Sequence, residues 1–170
     1  MQRLGRSIIS GLVLFATLSA SAHASEPVTN TLTVQRVVQQ PDGQERTEPA
    51  AAARPGNILE YAAEFHNAGP SVARGLEATL PIPVGTALIQ GSVRPPDARA
   101  SLDGTTFAAM PLTRKVRRPD GSVVEEPVPI AEYRFLRWPP TDLAAKASFV
   151  VRARVTVSTE TPNSTSSGKR

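Results

Sequence analysis

The chain has 170 residues, 40% hydrophobic and 20% charged, with sixteen prolines, eleven glycines and no cysteine. Without cysteine there is neither a disulfide framework nor a thiolate metal site, so stability must come from packing alone. A formal net charge of +4, drawn from a nearly balanced set of charges, does not mark a nucleic-acid binder, and the length suits one domain rather than two.

Arg3 and Arg6 precede an apolar run over residues 8–18, broken only by Ser10, Gly11 and Thr17, and Ala22-His23-Ala24 completes a small-x-small pattern. This reads as a secretory signal peptide over residues 1–24, too short and wrongly flanked for a transmembrane helix. Cleavage after Ala24 would place the mature protein in the periplasm or outside the cell. It removes two of the 19 Lys+Arg and none of the 15 Asp+Glu, leaving 17 against 15, a net charge of +2. Intact-mass measurement of the protein in the envelope fraction checks this: the first 24 residues should be missing. Full-length protein in the cytoplasm would contradict it.

The mature sequence reads as a single domain over residues 25–158. A first strand is expected over 26–39, with Leu32, Val34 and Val38 inward and the register ambiguous at Arg36-Val37-Val38. Residues 40–54 read as a polar linker containing the turn pair Asp42-Gly43. The organising strand follows the Pro55-Gly56-Asn57 turn. Leu59, Tyr61, Ala63 and Phe65 share one face at period two, and Glu60, Ala62, Glu64 and His66 share the other. A short strand at Leu76, Ala78 and Leu80 stops at Pro81-Ile82-Pro83, because proline lacks a ladder donor. Another is expected over 86–93, with Ala87, Ile89 and Val93 inward.

Two hairpins come next, one around Asp103-Gly104 and one around Arg118-Pro119-Asp120-Gly121. An aromatic strand over 133–138 ends at Pro139-Pro140, and Leu143 plugs the core. In the last strand, 147–157, Phe149, Val151, Ala153, Val155 and Val157 point inward, with Arg152 and Arg154 outward. Residues 159–170 are Ser/Thr-rich and read as a disordered tail. About eight short, mostly antiparallel strands in one all-β domain predict a β-sandwich, with a small barrel as the alternative.

The runs Pro55-Gly56-Asn57-x-x-x-Tyr61, His66-Asn67-Ala68-Gly69-Pro70-Ser71-x-Ala73 and Leu80-Pro81-x-Pro83-x-Gly85-Thr86 resemble the DUF11 conserved repeat domain of bacterial envelope and surface proteins. Ser101-Leu102-Asp103-Gly104-x-x-Phe107 and Tyr133-x-x-Leu136-Arg137-Trp138 resemble later parts of the same domain. The resemblance implies an immunoglobulin-like sandwich serving as a binding or structural module, with no catalytic residues to carry over. Asn57 and Thr79 stand where that family commonly has aspartate, and Ala144-Ala145-Lys146 replaces its usual Pro-Gly link. The resemblance therefore carries no calcium site here.

The chemistry-bearing residues point the same way. Glu60, Glu64 and His66 spread over roughly 20 Å at about 3.3 Å per residue, too far for one coordination sphere, and two ligands do not make a structural zinc site. Gly69-Pro70-Ser71-Val72-Ala73 lacks the closing glycine of a nucleophile elbow. No catalytic, metal or cofactor residues are expected, and a metal-dependent hydrolase is the weakest alternative. The expected binding surface is basic: Arg114, Lys115, Arg117 and Arg118 in one hairpin, with Arg152 and Arg154 on the last strand. If those strands are neighbours, they form a stripe that attracts an anionic envelope polymer or lipid. Trp138 is either core or an exposed anchor beside Arg137 for an envelope protein partner.

Overall fold

The computed structural model describes residues 28–159. The signal-peptide segment, the cleavage site and the tail beyond residue 159 lie outside that range.

Among the described residues the chain is all-β. Its strands are β1 (Val28–Gln39), β2 (Glu45–Pro49), β3 (Ile58–Asn67), β4 (Ala73–Leu76), β5 (Thr79–Pro81), β6 (Thr86–Leu88) and β7 (Arg99–Ser101), then β8 (Ala108–Ala109), β9 (Thr113–Arg117), β10 (Val123–Pro127), β11 (Phe135–Arg137), β12 (Thr141–Leu143) and β13 (Ser148–Val157). One sheet runs β2-β1-β3-β13-β6 and a second runs β5-β11-β7-β8. A pair β12-β4 and a separate hairpin β9-β10 complete the set. The count exceeds eight because every strand but β1, β3 and β13 is only two to five residues long, and the expected strand through Leu76, Ala78 and Leu80 divides between β4 and β5.

The two clearest strands of the sequence pair with each other. β3 lies between β1 and β13, antiparallel to both, with Phe65 opposite Phe149, Ala63 opposite Val151 and Leu59 opposite Val155. Leu59, Ala63, Phe65, Val151, Ala153 and Val155 are buried as their alternation requires. They share one hydrophobic core with Leu80, Ala100, Leu136 and Trp138 of the second sheet region. Two sheets enclosing one core is the sandwich architecture.

Three local expectations change. Residues 40–54 are not a linker: Asp42-Gly43 turns the chain directly into β2, which pairs with the end of β1. Glu-Arg-Thr-Glu-Pro has no apolar alternation because it is an edge strand with no buried residue. In β6 the buried residues are Thr86 and Leu88, not Ala87 and Ile89. Val93 is still inward because a turn at Ile89–Ser92, closed by Ser92 N–H donating to the Ile89 carbonyl at 3.2 Å, resets the parity. In β1, Leu32 is 50% exposed while Val37 is buried. Val37 belongs to the outer face, opposite Ile58 and Thr47.

The Asp103-Gly104 turn packs onto the outer face of the second sheet. Backbone N–H groups of Thr106 and Thr105, together with Ser101, hydrogen-bond the Asp103 carboxylate and hold it well below the usual carboxylate range. Gly104 has φ +79°, and a Cβ there would come within 3.0 Å of the Phe135 ring. The positive φ favours glycine there, and any larger residue would also push the Phe135 ring aside.

Candidate binding surfaces

The Arg114–Arg118 cluster lies on a hairpin arm. β9 and β10 form backbone ladder bonds only with each other, and none of their ten strand residues is buried. The turn is closed by Gly121 N–H donating to the Arg118 carbonyl at 2.9 Å, with Gly121 at φ +85°. The Ser122 hydroxyl and backbone N–H both donate to Asp120, which lowers its pKa. At the base, Val128 N–H donates to the Leu112 carbonyl at 2.8 Å, and Leu112 N–H donates to Tyr133 Oη at 2.7 Å. The arm thus has a fixed root and an unpacked body.

Charges along the arm are largely matched. Arg114 pairs with Glu132 at 2.9 Å and Arg118 with Glu126 at 3.8 Å, while Lys115 lies opposite Glu125 in the ladder. Exposed pairs of this kind contribute little stability, but they leave little unbalanced positive field.

Arg152 and Arg154 lie elsewhere. β13 has β3 and β6 as neighbours, whereas the aromatic strand β11 sits between β5 and β7 in the other sheet. The expected contiguous basic stripe across arm, β11 and β13 is therefore not formed. Arg154 is also committed: its Nε donates to Glu60 and its Nη1 to Glu45, each at 2.8 Å. Those bonds, that to Glu60 foremost, raise its pKa. The Glu60 side chain is only 18% exposed, so it is not the solvated carboxylate its parity suggests.

Trp138 is 2% exposed, and its Nε1 donates to the Pro95 carbonyl at 2.8 Å. It is a core residue and cannot serve as an exposed anchor. Its neighbour Arg137 stacks instead on Phe107, 3.9 Å from the ring centroid, and donates to Thr79 Oγ1 at 3.2 Å. The His66 ring lies 3.1 Å from Ser148 Oγ. Among the described residues no group of three His, Cys, Asp or Glu side chains is placed to hold a metal ion.

One feature was not foreseen from sequence. The outer face of the five-stranded sheet carries an open cleft of about 540 Å³, lined among others by Glu45, Glu60, Arg94, Arg152 and Arg154. Arg94 enters it because the Ile89–Ser92 turn returns the chain to β13, where Arg94 and Arg152 form an antiparallel bridge. Comparison of the chain with protein-family models, curated proteins and solved structures gave no match.

Proposed function

We infer that the protein is an exported, non-catalytic binding module of the bacterial cell envelope, and that the β9-β10 arm is its contact element for a protein partner. The observation carrying this reading is the arm itself. A two-stranded hairpin in water is marginally stable alone, yet this one is rooted in the core through Leu112 and Tyr133 and buries none of its own strand residues. Its outer edges are open to strand addition. Matched charges favour a protein surface over a polyanion, since interleaved charge gives register and specificity more than bulk attraction. The signal-peptide pattern and the DUF11-like motifs support the envelope setting.

Replacing residues 113–127 by Asn-Gly, a turn suited to a two-residue hairpin, should change folding stability by no more than about 0.5 kcal/mol, the usual range for surface changes. It should abolish co-purification of the envelope protein that the intact chain captures from its own envelope extract. Equal capture by both chains would remove the arm as the contact element.

A further inference from the structure

We propose that the cleft on the outer face of the five-stranded sheet binds an acidic saccharide, its carboxylate or phosphate held between Arg94 and Arg152. The two residues form a hydrogen-bonded antiparallel pair: Arg94 N–H donates to the Arg152 carbonyl at 2.8 Å, and Arg152 N–H donates back at 2.7 Å. Directly opposed residues share a face, about 5.5 Å apart at Cα. That face is outward, because Val93, Val151 and Ala153 fill the core. Like charges directly opposite across a ladder are destabilising. Here neither guanidinium has a carboxylate within ion-pair distance among the described residues.

Arg94 is oriented from behind, its Nη1 donating to the Gly91 and Val93 carbonyls at 2.7 Å each. The Arg152 side chain has no hydrogen-bond partner among the described residues. The second sheet offers a contrast: Arg99 and Arg137 also stand opposite each other, but there Arg137 is covered by Phe107, Thr79 and Glu77. Among the described residues nothing covers the Arg94–Arg152 pair in that way, and a fork of guanidinium donors is suited to a planar carboxylate or a phosphate.

The rest of the cleft sets the body of the ligand. Two residues along β13, roughly 7 Å away at about 3.3 Å per residue, Arg154 occupies Glu60 Oε2 and Glu45 Oε2. Glu60 Oε1 is left as an acceptor, and the exposed Gln90 amide stands on the rim. A cationic end and an acceptor end match a molecule with an anionic group at one end and hydroxyls at the other. Three arginines against two glutamates leave one net positive charge, and about 540 Å³ is ample for one or two sugar rings by the usual size of ligand sites.

The experiment is a titration of the purified protein with glucuronate, glucose 6-phosphate, inorganic phosphate and glucose at low salt, read by amide chemical shifts and calorimetry. Glucuronate or glucose 6-phosphate should bind more tightly than phosphate or glucose, and which of the two wins separates a carboxylate from a phosphate headgroup. Arg94→Gln and Arg152→Gln should each weaken that binding about tenfold or more, the scale of one charged hydrogen bond. Arg99→Gln, on the other sheet, should leave it unchanged. Both cleft side chains are exposed. Arg152→Gln, whose side chain has no bond to lose among the described residues, should leave the melting temperature unchanged. It carries the test should Arg94→Gln, which gives up two bonds to its own loop, melt lower. No saturable binding of either acidic sugar, or equal binding by the Arg94 and Arg152 variants, would overturn the proposal. The chain lacking residues 113–127 should bind the sugar like the parent, which keeps this site separable from the arm.

Discussion

Trp138→Ala should destabilise the protein by about 3–5 kcal/mol, the range for removing a large aromatic from a core. Trp138 is 2% exposed and belongs to the single core that joins both sheets. Its indole N–H also satisfies the Pro95 carbonyl. The alanine variant therefore loses burial, opens a cavity and strands an acceptor. Trp138→Phe separates these effects. It keeps most of the ring volume and removes the donor, so its cost should be about 1–3 kcal/mol, from the smaller ring and the lost bond to a part-buried acceptor. Urea denaturation of both variants measures this. An alanine variant within about 0.5 kcal/mol of the parent, the behaviour of a surface site, would contradict the burial of the ring. Loss of partner capture by this variant would follow from unfolding and would say nothing about an interface.

The parity of Trp138 could not be read from the chain. Tyr133, Phe135 and Arg137 alternate with Arg134, Leu136 and Trp138, and both sets contain an apolar and an arginine. In the structure Tyr133 and Trp138 are both buried despite opposite parity, because Tyr133 closes a 3-10 turn at Ile130–Glu132 before β11 begins. Period-two reasoning holds only within an uninterrupted strand. It succeeded in β3 and β13, whose ten residues each run without proline or glycine. It failed at Ala87 and Ile89, where a turn intervenes.

The candidate surfaces divide along the same line. That Arg152 and Arg154 leave one face follows from local alternation. Which strand lies beside them is a long-range fact that alternation does not carry, and the arm, which a basic stripe would need next to β13, is separate from it in the fold. Arg94 was missed for the same reason. It lies 58 residues from Arg152 in sequence, just after a turn and before Pro95-Pro96, and only the bridge to β13 gives it meaning. β2 is not legible in the sequence because an exposed edge strand of charged residues has no apolar period.

Asn67→Ala should cost about 3 kcal/mol or more, which is large for so small a side chain. Asn67 is 1% exposed at the end of β3. Its Oδ1 accepts from Gly69 N–H at 3.0 Å, forming an Asx turn that sets Asn67-Ala68-Gly69-Pro70. Its Nδ2 donates to the carbonyls of Ser71 at 2.7 Å, Leu143 at 3.0 Å and Ala144 at 3.1 Å. The same residue's N–H donates to Ala147 O, and its carbonyl accepts from Lys146 N–H. One amide thus ties the β3 turn to the link between β12 and β13, where Lys146 itself is held at φ 61°. Alanine keeps the backbone bonds but leaves these carbonyls without their donor. The Leu143 acceptor is buried and its loss alone costs about 1–3 kcal/mol before relaxation, with the part-buried Ser71 and Ala144 acceptors and the lost Asx turn adding to it. Asn67→Asp decides which half of the amide matters. It preserves the acceptor for Gly69 but turns a carboxylate toward three carbonyl oxygens, so at neutral pH it should be at least as damaging as alanine. Asn57→Ala, which removes a single bond to the exposed Arg54 N–H, should cost no more than about 0.5–1.5 kcal/mol. An aspartate variant that unfolds at the same urea concentration as the parent would show that the donor side of Asn67 does not hold the two loops together.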